Sequence, residues 1–203
     1  IILPRNEVQD FQALKDELMD NPLIESTCFA GSSPVYLPPI IMSEGWTWKG
    51  LEEGSHTSIY GISVDHDYLK VFGILILEGR FFSALKTDVD KVVINEKLAG
   101  LLGFSDPLGE TMTRGENVYE IIGVVKDFHF QHLSNTIQPL LFRYRDSGTK
   151  LFVRMNEPSG QVPGQVQAKL KQFSNQPFVY EFVADKYDEL YRNESKLAKA
   201  IVV

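Results

Sequence analysis

The sequence predicts an α+β fold built as two lobes, one inserted into the other. Three observations carry this. Strand-like runs and runs with apolar residues at helical spacing interleave along the chain. A helix-then-strand unit opens the chain and another closes it. Between them lies a β-rich middle, which reads as an insertion between the two halves of one domain.

Composition narrows the classes. The 203 residues suffice for one large domain or two small ones. A hydrophobic content of 43% with 23% charged residues is that of a folded domain. The net charge of −7 repels a phosphate backbone, and no basic run offsets it, so nucleic acid is not an expected partner. Cys28 is the one cysteine, which excludes an intrachain disulfide and a Cys-based zinc site. A lone thiol leaves the compartment open. No segment is long and apolar enough to span a bilayer, and Ile1–Pro4 is too short for a signal-peptide core. The abrupt start on Ile1-Ile2-Leu3 and the apolar finish Ala200–Val203 suggest a soluble domain excised from a parent that continues into apolar sequence.

In order, residues 7–19 form an amphipathic helix, with Val8, Phe11, Leu14 and Leu18 on one face, Asn6 as its cap and Asn21-Pro22 as its stop. Residues 23–29 are a strand. Residues 34–55 are irregular and carry Trp46 and Trp48. These residues form either a mobile contact loop or, the favoured reading, a short hairpin whose tryptophans cover the core edge. Residues 57–64 alternate as a strand, and Asp65 caps a short helix over 66–72 that Gly73 ends. Residues 91–94 are a strand, Asn95 caps a helix over 96–102, and Gly103 closes it. Residues 111–114 and 118–125 pair as a hairpin about Gly115-Glu116-Asn117. Residues 139–144 and 151–155 are expected to form a second hairpin about Asp146-Ser147-Gly148. A helix over 162–173 follows, then a strand over 178–183 and a final helix capped by Asp185.

Chemistry-bearing side chains concentrate in 118–133, where an apolar run empties into Lys126, Asp127, Phe128, His129, Phe130, Gln131 and His132. Asp127, His129 and His132 lie within six residues, and His66 sits between Asp65 and Asp67. Such donors can hold a divalent ion, and a metal hydrolase using the first three is one reading. In a strand, however, Asp127 and His129 share a face that His132 reaches only through a sharp turn. Polar residues at a strand end explain the run as well, and no metal or other cofactor is expected. Cys28 lies in an apolar strand, where a thiol is packing. The G-x-S-x-G and G-x-x-x-x-G-K-[ST] patterns are both absent, so no nucleophile elbow and no nucleotide-binding P-loop are expected. A non-catalytic role is the better expectation. Trp46, Trp48, Phe128, His129 and Phe130 are then candidates for a partner surface.

Residues 91–112, 119–133 and 137–142 (KVVINEKLAGLLGF with DPLGETM, YEIIGVVKDFHFQHL, IQPLLF) resemble the extracytoplasmic core domain of MacB/FtsX-type ABC transporter permeases. Residues 64–83 (VDHDYLKVFGILILEGRFFS) resemble the family's upstream segment, and 187–194 (YDELYRNE) the run before its second membrane helix. His132 stands where that pattern often has serine. The resemblance implies a segment between two membrane helices of an inner-membrane permease, lying in the periplasm. It implies a porter-like lobe of βαβ-type units (1–85 with 146–203) and an inserted sabre-like lobe (86–145). ATP hydrolysis would belong to a separate ABC ATPase subunit or domain. The expected role is relay of transmembrane movement for export or mechanotransmission. Expected partners are the flanking membrane helices, the ATPase, a second copy or paired permease, and a periplasmic protein. The rival is an extracytoplasmic sensor module gripping a peptide or lipid through the Trp46/Trp48 loop.

Overall fold

The computed structural model describes residues 10–31, 40–41, 45–52, 54–55, 57–85, 87–131, 135–145, 150–174, 177–185 and 188. Among them, ten strands join in one mixed sheet, and four α-helices pack against it. The strands are β1 (Ile24–Ala30), β2 (Ile40–Ile41), β3 (Trp46–Trp48), β4 (Tyr60–Val64), β5 (Ile76–Gly79), β6 (Lys91–Asn95), β7 (Thr111–Arg114), β8 (Asn117–Val125), β9 (Leu140–Tyr144) and β10 (Lys150–Met155). The helices are α1 (Phe11–Met19), α2 (Tyr68–Phe72), α3 (Glu96–Leu102) and α4 (Val162–Leu170). The sheet runs β10-β1-β4-β9-β6-β8-β7-β3, with β2 also on β4 and β5 also on β8. The β4–β9 and β6–β8 pairs are parallel, and the rest are antiparallel.

Alternation assigns the layers. In β1, Cys28 and Ala30 face one side and Phe29 the other; in β9, Leu140, Phe142 and Tyr144 oppose Leu141. One face carries α2 and an aromatic set of Phe82, Phe130, Phe142 and Tyr144. The opposite face holds two separate clusters. Leu14, Leu18, Val162, Val166 and Leu170 of α1 and α4 cover β1 and β10. Leu98 and Leu102 of α3 cover β6, β8 and Leu141.

Several expectations are corrected. The second hairpin does not exist: β9 pairs with β4 and β6, while β10 pairs with β1, two strands away. Four of the five β9 residues are buried. A strand apolar on both faces gains most at the sheet centre, where neighbours flank both its edges. Nor do β2 and β3 pair with each other, since β2 adds to β4 and β3 to β7. Residues 178–182 form no strand. The first helix starts at Phe11, capped by Asp10, whose carboxylate accepts the Ala13 N–H at 2.9 Å. Asn6, the proposed cap, lies outside the described residues. The short helix begins at Tyr68, two residues late, with Asp67 rather than Asp65 at its N-cap. Most of the expected final helix, His132 and both chain ends lie outside the described residues.

One sheet spans both expected lobes. Strands β6, β7, β8 and β9 of residues 86–145 occupy one end with β3 and β5, and β10, β1 and β4 the other. They meet in the five-residue parallel ladder from Tyr60↔Leu140 to Val64↔Tyr144.

Candidate functional site

The residues with chemical potential sort into a hydrogen-bonded knot, a buried ion trio and an apolar cleft.

The knot is centred on Asn95, which is fully buried at the junction of β6 and α3. Its Oδ1 accepts the Leu98 N–H at 3.0 Å, capping α3, and the Leu140 N–H at 2.8 Å. Its Nδ2 donates to Asp127 Oδ1 at 2.8 Å and to the Gln138 carbonyl at 3.0 Å. Asp127 Oδ1 also accepts the Lys97 N–H at 3.0 Å, and Glu96 Oε2 accepts the Asp127 N–H at 2.8 Å. Three segments far apart in sequence (95–97, 127 and 138–140) are thus stitched by side-chain bonds. Asp127 works as a helix-terminus anion, in favourable register with the α3 dipole. Its Oδ1 accepts both of these hydrogen bonds, one from the Asn95 side chain and one from the Lys97 backbone.

The remaining candidates around it separate. His129 is exposed, whereas Phe130 is 2% exposed and packs its ring 5.5 Å from Tyr60. Phe128 is half-buried and stacks on Phe142. Trp46 is 6% exposed, 5.4 Å from Tyr119, with the Arg114 guanidinium 5.9 Å above its ring. Trp48 is half-buried beside the same cluster. Trp46 and Phe130 are therefore core side chains, and of the five candidates His129 stands most open. Among the described residues, no three His, Cys, Asp or Glu side chains are arranged to hold a metal. His132 lies outside the described residues.

The ion trio was not legible in advance. Lys15, 4% exposed on α1, donates from Nζ to Asp65 Oδ2 at 2.7 Å and to Asp67 Oδ2 at 2.5 Å. Asp65 also accepts the Phe29 N–H at 2.8 Å and the Asp67 N–H at 3.0 Å. His66 Nε2 lies 3.2 Å from Asp67. Burial pushes the Asp65 carboxyl up, against the opposing pull of Lys15 and two backbone bonds. Burial alone would lower the Lys15 ammonium, but Asp65 and Asp67 together outweigh it and hold it above the usual lysine range. The trio ties α1 to β1, to the end of β4 and to the head of α2. One signal was available: Phe11, Leu14, Lys15 and Leu18 follow i, i+3, i+4, i+7 spacing, so Lys15 completes the apolar stripe. Nearby Cys28 is fully buried, and burial raises its thiol far above the ordinary range, which leaves it unreactive.

The cleft, about 760 Å³, runs along β10. Val71 and Phe72 of α2 line one side, Val162 and Val166 of α4 the other, and residues 179–185 its outer wall.

None of these arrangements aligns a nucleophile with a base. The knot and the ion trio each join elements distant in the chain. Comparison with solved structures gives the same architecture. The periplasmic region of MacB from Actinobacillus actinomycetemcomitans superposes with a TM-score of 0.58 at 16% identity, over 89% of this chain and 82% of that one. The extracellular domain of the noncanonic ABC-type transporter YknZ from Gram-positive bacteria superposes with a TM-score of 0.51 at 14% identity, over 83% and 86%. A comparison with curated proteins finds no match. The sequence pattern of the MacB-like periplasmic core domain matches residues 7–173, most of the chain, and the chain belongs to that family.

Proposed function

We propose that this chain is the extracytoplasmic domain of an inner-membrane ABC permease, held by membrane helices at both ends. It relays ATP-driven movement of those helices to the periplasm, for export or mechanotransmission. ATP would be hydrolysed by a separate ABC subunit or domain. A second permease copy and a periplasmic protein are the other partners this reading expects. The family match over residues 7–173 carries the proposal. The ion trio supports it. Displacement of α1 relative to the sheet would separate a buried ammonium from two carboxylates, so α1 and the sheet move together. The porter-like and sabre-like lobes would meet at the β4–β9 ladder and receive that movement across it.

Labelling tests the relay in the assembled permease. Gly100 is exposed on α3 with open space around it, and Cys28 is too buried to compete for label. A fluorophore on Gly100→Cys, paired with one on a membrane helix of the parent, should show a distance distribution that shifts between nucleotide-free and ATP-trapped states. An unchanged distribution while ATP is hydrolysed and cargo moves would sink the relay.

A further inference from the structure

The helical layer on one face of the sheet is split. Helices α1 and α4 cover β1 and β10, and α3 covers β6 and β8. Between them lies the strip made by the inner strands β4 and β9. In β9, Leu140, Phe142 and Tyr144 face the aromatic layer, so alternation turns Arg143 to the split face, on the side of Leu141. The ladder continues past Tyr144, since the Arg145 N–H donates to the Val64 carbonyl at 2.8 Å, and Arg145 takes the same face as Arg143. Ser63 stands directly opposite Arg143 on β4, and Gly61, earlier on the same face, adds no side chain.

Two arginines therefore share one strip, with their Cα atoms about 7 Å apart along the strand. Neither has a carboxylate partner among the described residues. The carboxylates beside them in the sheet are engaged, Asp65 by Lys15 and Glu120 by Lys91. Arg145 is exposed. Arg143 is half-buried, and its Nε is shielded from water with no hydrogen-bond partner. A donor withdrawn from water and left unmet is unfavourable, and so is a partly buried charge without a counter-ion. In a chain of net charge −7, two neighbouring unpaired cations mark a local exception.

We propose that Arg143 and Arg145 form an oxyanion site that takes a phosphate group, with the Ser63 hydroxyl as a further donor. Guanidinium forks match phosphate oxygens in pairs. A tetrahedral phosphate presents oxygens to two forks at once, whereas one fork suffices for a planar carboxylate. The phosphate is either free, as inorganic phosphate or a soluble phosphoester, or the headgroup of an anionic lipid.

Denaturation midpoints of the 203-residue chain test this, measured in inorganic phosphate against chloride at equal ionic strength. A ligand of the folded state raises the midpoint once its concentration passes the dissociation constant. Phosphate should do so with a constant of about 1 mM or tighter. Arg143→Met and Arg145→Met should each weaken that constant at least about tenfold. In chloride, Arg143→Met should be at least as stable as the parent, because the unmet donor is gone. Co-sedimentation with phosphatidylglycerol vesicles separates the two sources. Retention that both substitutions abolish, and that phosphatidylcholine does not give, assigns a lipid headgroup. A response to inorganic phosphate without such retention assigns a free phosphate. A midpoint that follows ionic strength alone, with no such retention, would overturn the proposal. So would a phosphate response that survives both substitutions, which would mean an adventitious ion only. Binding is read without the membrane helices, so its failure leaves the permease role standing, and a failed relay experiment leaves the site standing.

Discussion

Asn95 shows how much one side chain can hold. It satisfies a helix N-terminus, a strand N–H and a loop carbonyl at once, in a fully buried setting. Asn95→Ala loses the cap, worth about 1 kcal/mol, and strands buried polar partners at about 1–3 kcal/mol. A loss of about 2–4 kcal/mol is expected from chemical denaturation, and a loss below 1 kcal/mol would show that the knot is dispensable. Gly123 is constrained by space. A Cβ there would lie 2.2 Å from the Arg80 carbonyl oxygen, and its neighbour Gly79, at φ +68°, is equally crowded by the Ile122 carbonyl at 2.3 Å. The obstacle is backbone in both cases, so Gly123→Ala should cost about 3 kcal/mol and peel β5 from β8, seen as faster amide exchange in 76–79. Asp88 is 1% exposed, gripped by both Arg80 nitrogens at 2.8 and 2.9 Å and by the Ser83 N–H at 2.8 Å. The Arg80 hydrogen bonds hold its carboxyl below the usual carboxylate range. A depressed folded pKa makes this contribution complete above the ordinary value near 4. It is lost as pH falls through the folded value. Asp88→Asn should therefore be less stable than the parent at pH 7, with the gap in denaturation midpoint closing toward pH 2. A gap independent of pH would exclude the carboxylate as its source.

Among the elements, α1 is bound differently from the others. Its apolar stripe was readable, yet the stripe includes a lysine whose two anionic partners lie fifty residues away. Lys15→Met preserves shape but leaves Asp65 buried without its cation, for an expected loss of about 3–5 kcal/mol. Adding Asp65→Asn should recover part of that loss, because the unpaired buried charge is gone. No recovery in the double variant would show that Lys15 acts through packing alone. The strands teach the same lesson from the other side. The alternation, turns and glycine stops placed β4, β6, β7, β8, α2 and α3 to within a few residues, because these signals are local. The β7–β8 hairpin was legible for the same reason, with Gly115 at φ +58° in its turn. The β9–β10 hairpin was not, since nearness in sequence suggested a pairing that burial on both faces of β9 forbids.

At the scale of the whole molecule, residues 86–145, expected as an insertion, share one sheet with the rest of the chain. The β4–β9 ladder joins the two ends of the sheet through five residue pairs, and the aromatic layer around Phe142 crosses the same seam. Unfolding should accordingly be a single transition. Trp46 and Trp48 report on the β3–β7 end of the sheet, and far-ultraviolet circular dichroism on the whole, so the two curves should coincide. Separated midpoints would mean that the two ends fold as independent lobes. The chain's periodicities, caps and ordered motifs by themselves determined its α+β class, its family and the placement of most elements. They also marked Asn95 as a cap. The tertiary structure alone decided the strand order, the pairing of Lys15 with Asp65 and Asp67, and the withdrawal of Trp46 and Phe130 into the core. The physical reason is range. A helix stripe, a turn or a cap is settled by neighbours a few residues apart, whereas a sheet edge or a buried charge is settled by whichever distant segment covers it at least cost.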